Sequence, residues 1–166
     1  MPESANSADV AAEERALAEH ADRLADGVEA SLPAWVERSV AVIAEAWRPG
    51  LADELRPAAA AAGTAALADV GPRLRALLAT DVDEQRTGPL AVIRTAVRYP
   101  TGILAAAGVA PVERDEFAER SFPDDDYDLA PATFADLDPA LREPGLVWGA
   151  AKAHVVLARR RAEGKR

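Results

Sequence analysis

The chain has no cysteine and two histidines among its 166 residues. Without cysteine there are no disulfide scaffolds and no thiolate metal sites. The histidines lack metal-ligand companions, because Leu17 stands three residues before His20 and Ala151 three before His154. Glu-x-x-His pairs of the di-iron bundle type are therefore absent, as is His-Glu-x-x-His. No serine lies in Gly-x-Ser-x-Gly, and the ten glycines are too scattered to form a phosphate loop. No apolar stretch approaches the ~20 residues of a membrane span. The opening MPESANSADVAAEER carries no hydrophobic targeting segment, so the expected compartment is the cytoplasm. No metal, cofactor or membrane contact is expected.

Aromatics are also scarce, at 5% of the chain, and alternating β-branched runs are missing. What fills the sequence is alanine, at 40 positions. Alanine favours helix but buries little area. The core must come from close helix contacts and a sparse set of Leu, Val, Ile and Trp. The net charge of −9 disfavours binding to phosphate backbones, so no nucleic-acid partner is expected. The charge is uneven. Residues 113–143 hold eleven acids and three bases, a local −8, while 144–166 hold six bases and one acid, a local +5.

Hydrophobic periodicity predicts an all-α fold, an antiparallel bundle of about five to seven helices. Residues 1–6 read as a disordered start, 7–162 as one helical domain and 163–166 as a frayed basic tail. Ser7 reads as the first N-cap, with Val10, Leu17, Ala21, Leu24 and Val28 on one stripe that fades over 27–31. A second helix is expected from Ser31, with Pro33 in its first turn and Val36, Val40, Ile43 and Trp47 as its stripe. These two helices are expected to pack antiparallel, and Arg48-Pro49-Gly50 to end the second. Over 51–80 the stripe is Leu51, Leu55, Ala59, Ala62, Leu67, Val70, Leu74 and Leu77, with a break expected at Gly71-Pro72. Residues 81–89 read as a loop, with Pro89 opening a helix lined by Leu90, Ile93 and Val97 that ends at Tyr99-Pro100. A short helix then closes on Gly108. A last helix is expected at about 145–162.

Residues 111–144 differ in texture, with prolines at 111, 123, 131, 139 and 144. They read as an irregular Pro/Asp-rich segment wrapping the bundle. Within it, SFPDDDYDLAP places Asp124, Asp126 and Asp128 at the alternating spacing of a calcium loop. That loop needs glycine at its sixth position and glutamate at its twelfth; here they are Leu129 and Ala135. The metal reading fails on those two residues. The interleaved Phe117, Phe122, Tyr127, Leu129, Phe134, Leu137 and Leu141 predict instead a segment packed onto its own chain, with the acids facing Lys152, Arg159, Arg160 and Arg161. The alternative is an exposed acidic-aromatic recognition segment.

In the last helix His154 is expected on or beside the buried face, with Trp148 as a core anchor. Gly145, Gly149 and Ala153 form a small-residue stripe that predicts close helix approach. The phrases RDEFAER, FPDDDYDL and WGAAKAH lie within residues 98–161, the last two-fifths of the chain. This stretch resembles a family of small actinobacterial proteins with no established activity. The resemblance implies a cytoplasmic actinobacterial origin and transfers no functional residues.

The leading expectation is a non-catalytic protein-interaction or regulatory module, with Arg114, Phe122, Asp124, Asp126, Tyr127, Asp128, Trp148 and His154 as candidate interface residues. The alternative is a small-ligand binder or enzyme with a pocket between the bundle and 111–144. That alternative needs His154, Tyr127, Asp128 and Arg114 to converge on one cavity. Homodimerisation is a third course, which light scattering decides.

Overall fold

A computed structural model describes residues 3–80, 88–113 and 125–164, with side chains from residue 7 onward except those of 143–148, 150 and 151. No strand occurs among the described residues, and the fold is all-α. Helix α1 spans Glu3–Trp47, α2 Leu51–Ala79, α3 Pro89–Arg94, α4 Arg98–Ala106 and α5 Arg142–Glu163. A 3-10 turn at Thr95–Val97 joins α3 to α4, and two more, Phe134–Asp136 and Pro139–Leu141, lead into α5.

The first two expected helices are one. α1 begins ahead of Ser7, runs through Gly27 and Pro33, and has 45 residues. At 1.5 Å per residue it extends about 67 Å. An interior proline removes one helical hydrogen bond and costs about 3 kcal/mol in an isolated helix. Here the apolar stripe stays in phase across it. Leu24, Val28, Leu32, Val36 and Val40 follow at steps of four, and all are buried. Ser31 Oγ donates to the carbonyl of Gly27 at 2.7 Å, so it bonds back into the helix rather than capping a new one.

Two glycines serve packing rather than helix termination. A Cβ on Gly27 would stand 2.2 Å from Leu141 Cδ2, and one on Gly63 would stand 2.9 Å from the Pro33 carbonyl oxygen. Gly63 therefore lets α2 pass over Pro33 at backbone distance. Of the small-residue stripe expected in α5, the two members with described surroundings do not act this way. Gly149 and Ala153 are exposed, and nothing lies within 4 Å of a Cβ built on Gly149.

The expected stop at Arg48-Pro49-Gly50 holds. Gly50 has φ 84, a left-handed conformation suited to glycine, and Arg48 closes on Glu54 with bonds of 3.0 and 2.8 Å. α2 then returns antiparallel to α1, and Gly71-Pro72 does not break it. Pro57 and Pro72 both lie on its exposed face, where water can serve the carbonyls they leave without donors. Val70 and Leu74, four apart across Pro72, are fully buried.

Pro89 opens α3 as expected. Tyr99-Pro100 does not end a helix; Pro100 falls in the first turn of α4, where its missing N–H was unpaired in any case. Of the stripe expected there, Ile93 is fully buried and Leu90 and Val97 half-buried, with Val92 and Ala96 buried beside them. α4 ends in a Schellman motif. Gly108 at φ 78 donates to the Ala105 carbonyl and Val109 to the Leu104 carbonyl, each at 3.1 Å.

Apolar residues gather in two clusters along the hairpin. The larger joins Leu24, Val28, Leu32, Trp35 and Val36 of α1 to Val70 and Leu74 of α2, Ile93 of α3, and Leu137 and Leu141. The smaller sits near the α1–α2 turn and joins Val40, Ala44, Leu51 and Ala59 to Leu104, Val109 and Tyr127. α5 runs antiparallel along the first half of α1, with Gly27 facing Leu141 and Glu14 facing Arg159.

Candidate functional site

The acidic segment enters the described residues at Asp125 and is held at the hairpin tip. Tyr127 is 4% exposed, and its hydroxyl donates to the Val109 carbonyl at 2.7 Å. The carbonyl of Asp126 accepts from the Val112 N–H at 2.9 Å. Asp125 is buried, and its Oδ2 accepts from the Ala130 N–H at 2.5 Å. That bond closes the turn on itself. Asp128 sits at φ 58, a conformation that aspartate tolerates better than most residues. Asp126 and Asp128 are exposed. Burial pushes the Tyr127 phenol above its usual range, and the neighbouring Asp126 charge adds to the shift.

Arginines fasten the next stretch by its backbone carbonyls. Arg94 donates to Pro131 at 2.9 Å and Ala132 at 3.1 Å, and Arg38 donates to Leu137 at 2.9 Å. Thr133 and Asp136 form a capping box around the first 3-10 turn, and Asp138 accepts from Ala140 at 2.9 Å at the second. Leu137 and Leu141 fill the larger cluster. The sequence signal for these anchors was present in the alternating apolar residues. The arginines that serve them lie 99 and 37 residues away in the chain, beyond the reach of any local pattern.

The candidate residues do not gather in one place. Tyr127 packs with Val40 and Ala44 near the C-terminal end of α1. His154 is exposed, and its Nε2 lies 2.6 Å from Glu13 Oε1 near the other end. Positions 13 and 40 on one helix are about 40 Å apart. The expected placement of His154 on the buried face is thus corrected. Lys152 and Val155 take the buried positions, and His154 is turned aside to α1. Arg159 pairs with Glu14 of α1. Trp148 belongs to α5, but its side chain is outside the described residues, as are Arg114, Phe117, Phe122 and Asp124. Among the described residues no group of three or more His, Asp or Glu is placed to hold a metal ion. No described helix is long and apolar enough to cross a membrane.

A feature that the sequence reading missed lies beside the turn. Trp47, expected to extend the buried stripe of α1, is 52% exposed. It is the last residue of α1, just before the turn at Gly50. Val42 and Val112 are also exposed, at 69% and 42%. Three of the four large apolar side chains left open among the described residues therefore lie at the tip end, with Leu157 of α5 the fourth.

No protein-family model, no curated protein and no solved structure matches the chain.

Proposed function

We propose that the chain is a non-catalytic interaction module that meets a protein partner through the tip of its helical hairpin. The observation that carries this reading is that Trp47 and Val112, with Val42 on another face of α1, are exposed toward the end that also presents Asp126 and Asp128. Single exposed apolar residues are ordinary on protein surfaces, but a group of them rimmed by charge marks an interaction surface. Tryptophan is enriched among the residues that dominate binding energy. The partner surface that fits is an apolar recess bordered by Lys or Arg. Electrostatic complementarity with the acidic turn would then set orientation and association rate.

In this reading the Pro/Asp-rich segment 111–144 wraps the bundle; Arg114, Phe122 and Asp124 remain candidate interface residues that lie outside the described residues. The contacts of Tyr127, Leu137 and Leu141 support the wrap. The domain is 7–162, and the setting is the actinobacterial cytoplasm that the sequence resemblance implies. The pocket alternative is weakened by the distance between His154 and Tyr127.

Affinity capture from an actinobacterial lysate tests the proposal. Wild type is compared with Trp47→Ala, with Asp126→Asn plus Asp128→Asn, and with Arg160→Ala on the exposed face of α5. Partners shared by wild type and the α5 control, and lost from both tip variants, are expected. Identical partner lists in all four would refute the reading.

A further inference from the structure

α2 ends at Ala79, close to Ala18 and Ala21 of α1, and α1 continues past that end toward its own N-terminus. A groove of about 340 Å³ opens between the two helices there. Its floor is Ala18, Ala21, Ala25 and Leu78, and its rim is Asp22 and Arg75. Among the described residues none of α5 reaches it. We propose that this groove takes α1 of a second copy of the chain, in an antiparallel dimer whose two-fold axis passes beside Ala18.

The floor decides what fits. Alanine side chains let a second helix approach to an axial distance near about 8 Å, the short end of helix packing. The incoming helix must be equally small along its contact line. α1 meets that need itself, with Ala11, Ala18 and Ala25 recurring every seven residues. Charge then sets the register. Arg15 and Asp22 are exposed, opposite in sign and seven positions apart, so they share one face of α1. Neither is hydrogen-bonded or ion-paired among the described residues. In a two-fold contact, position i on j is also j on i. Setting Arg15 of one copy on Asp22 of the other therefore makes the same pair twice, with Ala18 midway between them. Exposed pairs add little affinity, but they fix orientation and register. The apolar floor supplies the attraction. The net charge of −9 on each copy opposes association at long range, and physiological salt screens it beyond about 8 Å. Position 47 lies about 40 Å along α1 from the axis, so the dimer leaves both hairpin tips open, at opposite ends. The inference is independent of what those tips bind.

The test is sedimentation equilibrium of the full chain at physiological ionic strength, for wild type, Arg15→Glu, Asp22→Lys and the two exchanges combined. Wild type is expected to show a monomer–dimer equilibrium. Each single exchange puts like charges together at both pairs and is expected to raise the dimer dissociation constant at least tenfold. The combined exchange restores opposite charges and is expected to restore the dimer. All of these side chains are exposed, and the combined variant separates a lost contact from a lost fold. Because the chain has no cysteine, Ala18→Cys gives a second readout. Beside the axis its two thiols come within disulfide reach, and mild oxidation is expected to give a covalent dimer. Ala46→Cys, exposed and far from the axis, is expected to give none. A monomer up to millimolar concentration, single exchanges that dimerise like wild type, a combined exchange no tighter than the single ones, or no more crosslinking at position 18 than at position 46 would overturn the proposal.

Discussion

At the larger cluster Leu24, Val28, Leu32, Val70, Leu74 and Ile93 are all fully buried, and four separate segments close over them. At the smaller cluster Val40, Ala44, Leu51, Ala59, Leu104, Val109 and Tyr127 are buried, a shorter set with two alanines, and Trp47 and Val42 on the same stretch of α1 stay open. The first end is sealed by large aliphatics. The second has fewer large aliphatics and adds hydrogen bonds, from Tyr127 to Val109 and from Val112 to Asp126. Apolar area removed from water dominates stability, so the first end holds the fold. The second has apolar area to spare for another molecule.

Substitutions should divide along that line. Leu24→Ala or Leu74→Ala removes a fully buried side chain from the larger cluster and should lower unfolding free energy by about 2–5 kcal/mol in urea titration. Gly63→Ala comes next. Alanine gains up to about 1 kcal/mol of helix propensity, but its Cβ would press on the Pro33 backbone, and overpacking costs about 1–3 kcal/mol. A net loss is expected, and a gain would show that the helices can separate freely at that crossing. Tyr127→Phe removes one buried hydrogen bond at the smaller cluster and should cost about 1–2 kcal/mol. Trp47→Ala should change stability by less than about 0.5 kcal/mol, because half of the side chain is already in water.

Acid should weaken the larger end through the ion pairs that span its helices. Arg75 bonds to Glu29 at 2.6 Å and to Asp26 at 2.6 Å, tying α2 to α1. The Arg75 hydrogen bond holds Glu29 below its ordinary value against the opposing effect of burial. At Asp69 partial burial pushes the carboxyl up, but the Tyr99 hydroxyl and the Arg98 and Arg73 guanidiniums together outweigh it. Both folded-state values are depressed, so the stability they contribute is complete above the ordinary values of 4.5 and 3.8. It is lost as pH falls through the lower folded values. Arg75→Met should flatten that acid limb in pH-dependent thermal melts, while Trp47→Ala should leave it unchanged.

Much of this division is present in the sequence. The stripes Leu17–Ala21–Leu24–Val28 and Val70–Leu74 mark the larger core, and Gly108 marks the end of α4. The interior prolines mislead a local reading. Pro33 reads as the first turn of a new helix and Gly71-Pro72 as a break, because the isolated chain pays the cost of an interior proline unopposed. In the folded chain Leu32 and Val36 stay in phase with Val28 across Pro33, and burial on both sides offsets the missing bond. That continuity can be read from the spacing when the stripe is followed past the proline. The burial of Lys152 and the turning aside of His154 cannot, because they depend on how α5 rotates against α1. Nor do local patterns show that Arg38 and Arg94 take backbone carbonyls of the acidic segment.

The central claim is that the hairpin tip is left open for a partner. Photocrosslinking tests it most directly, with benzoylphenylalanine placed in turn at positions 47, 112 and 157 and the chain exposed to lysate. The account predicts one common adduct protein from positions 47 and 112, and none from position 157 on α5. The same adducts from all three positions, or none from position 47, would contradict it.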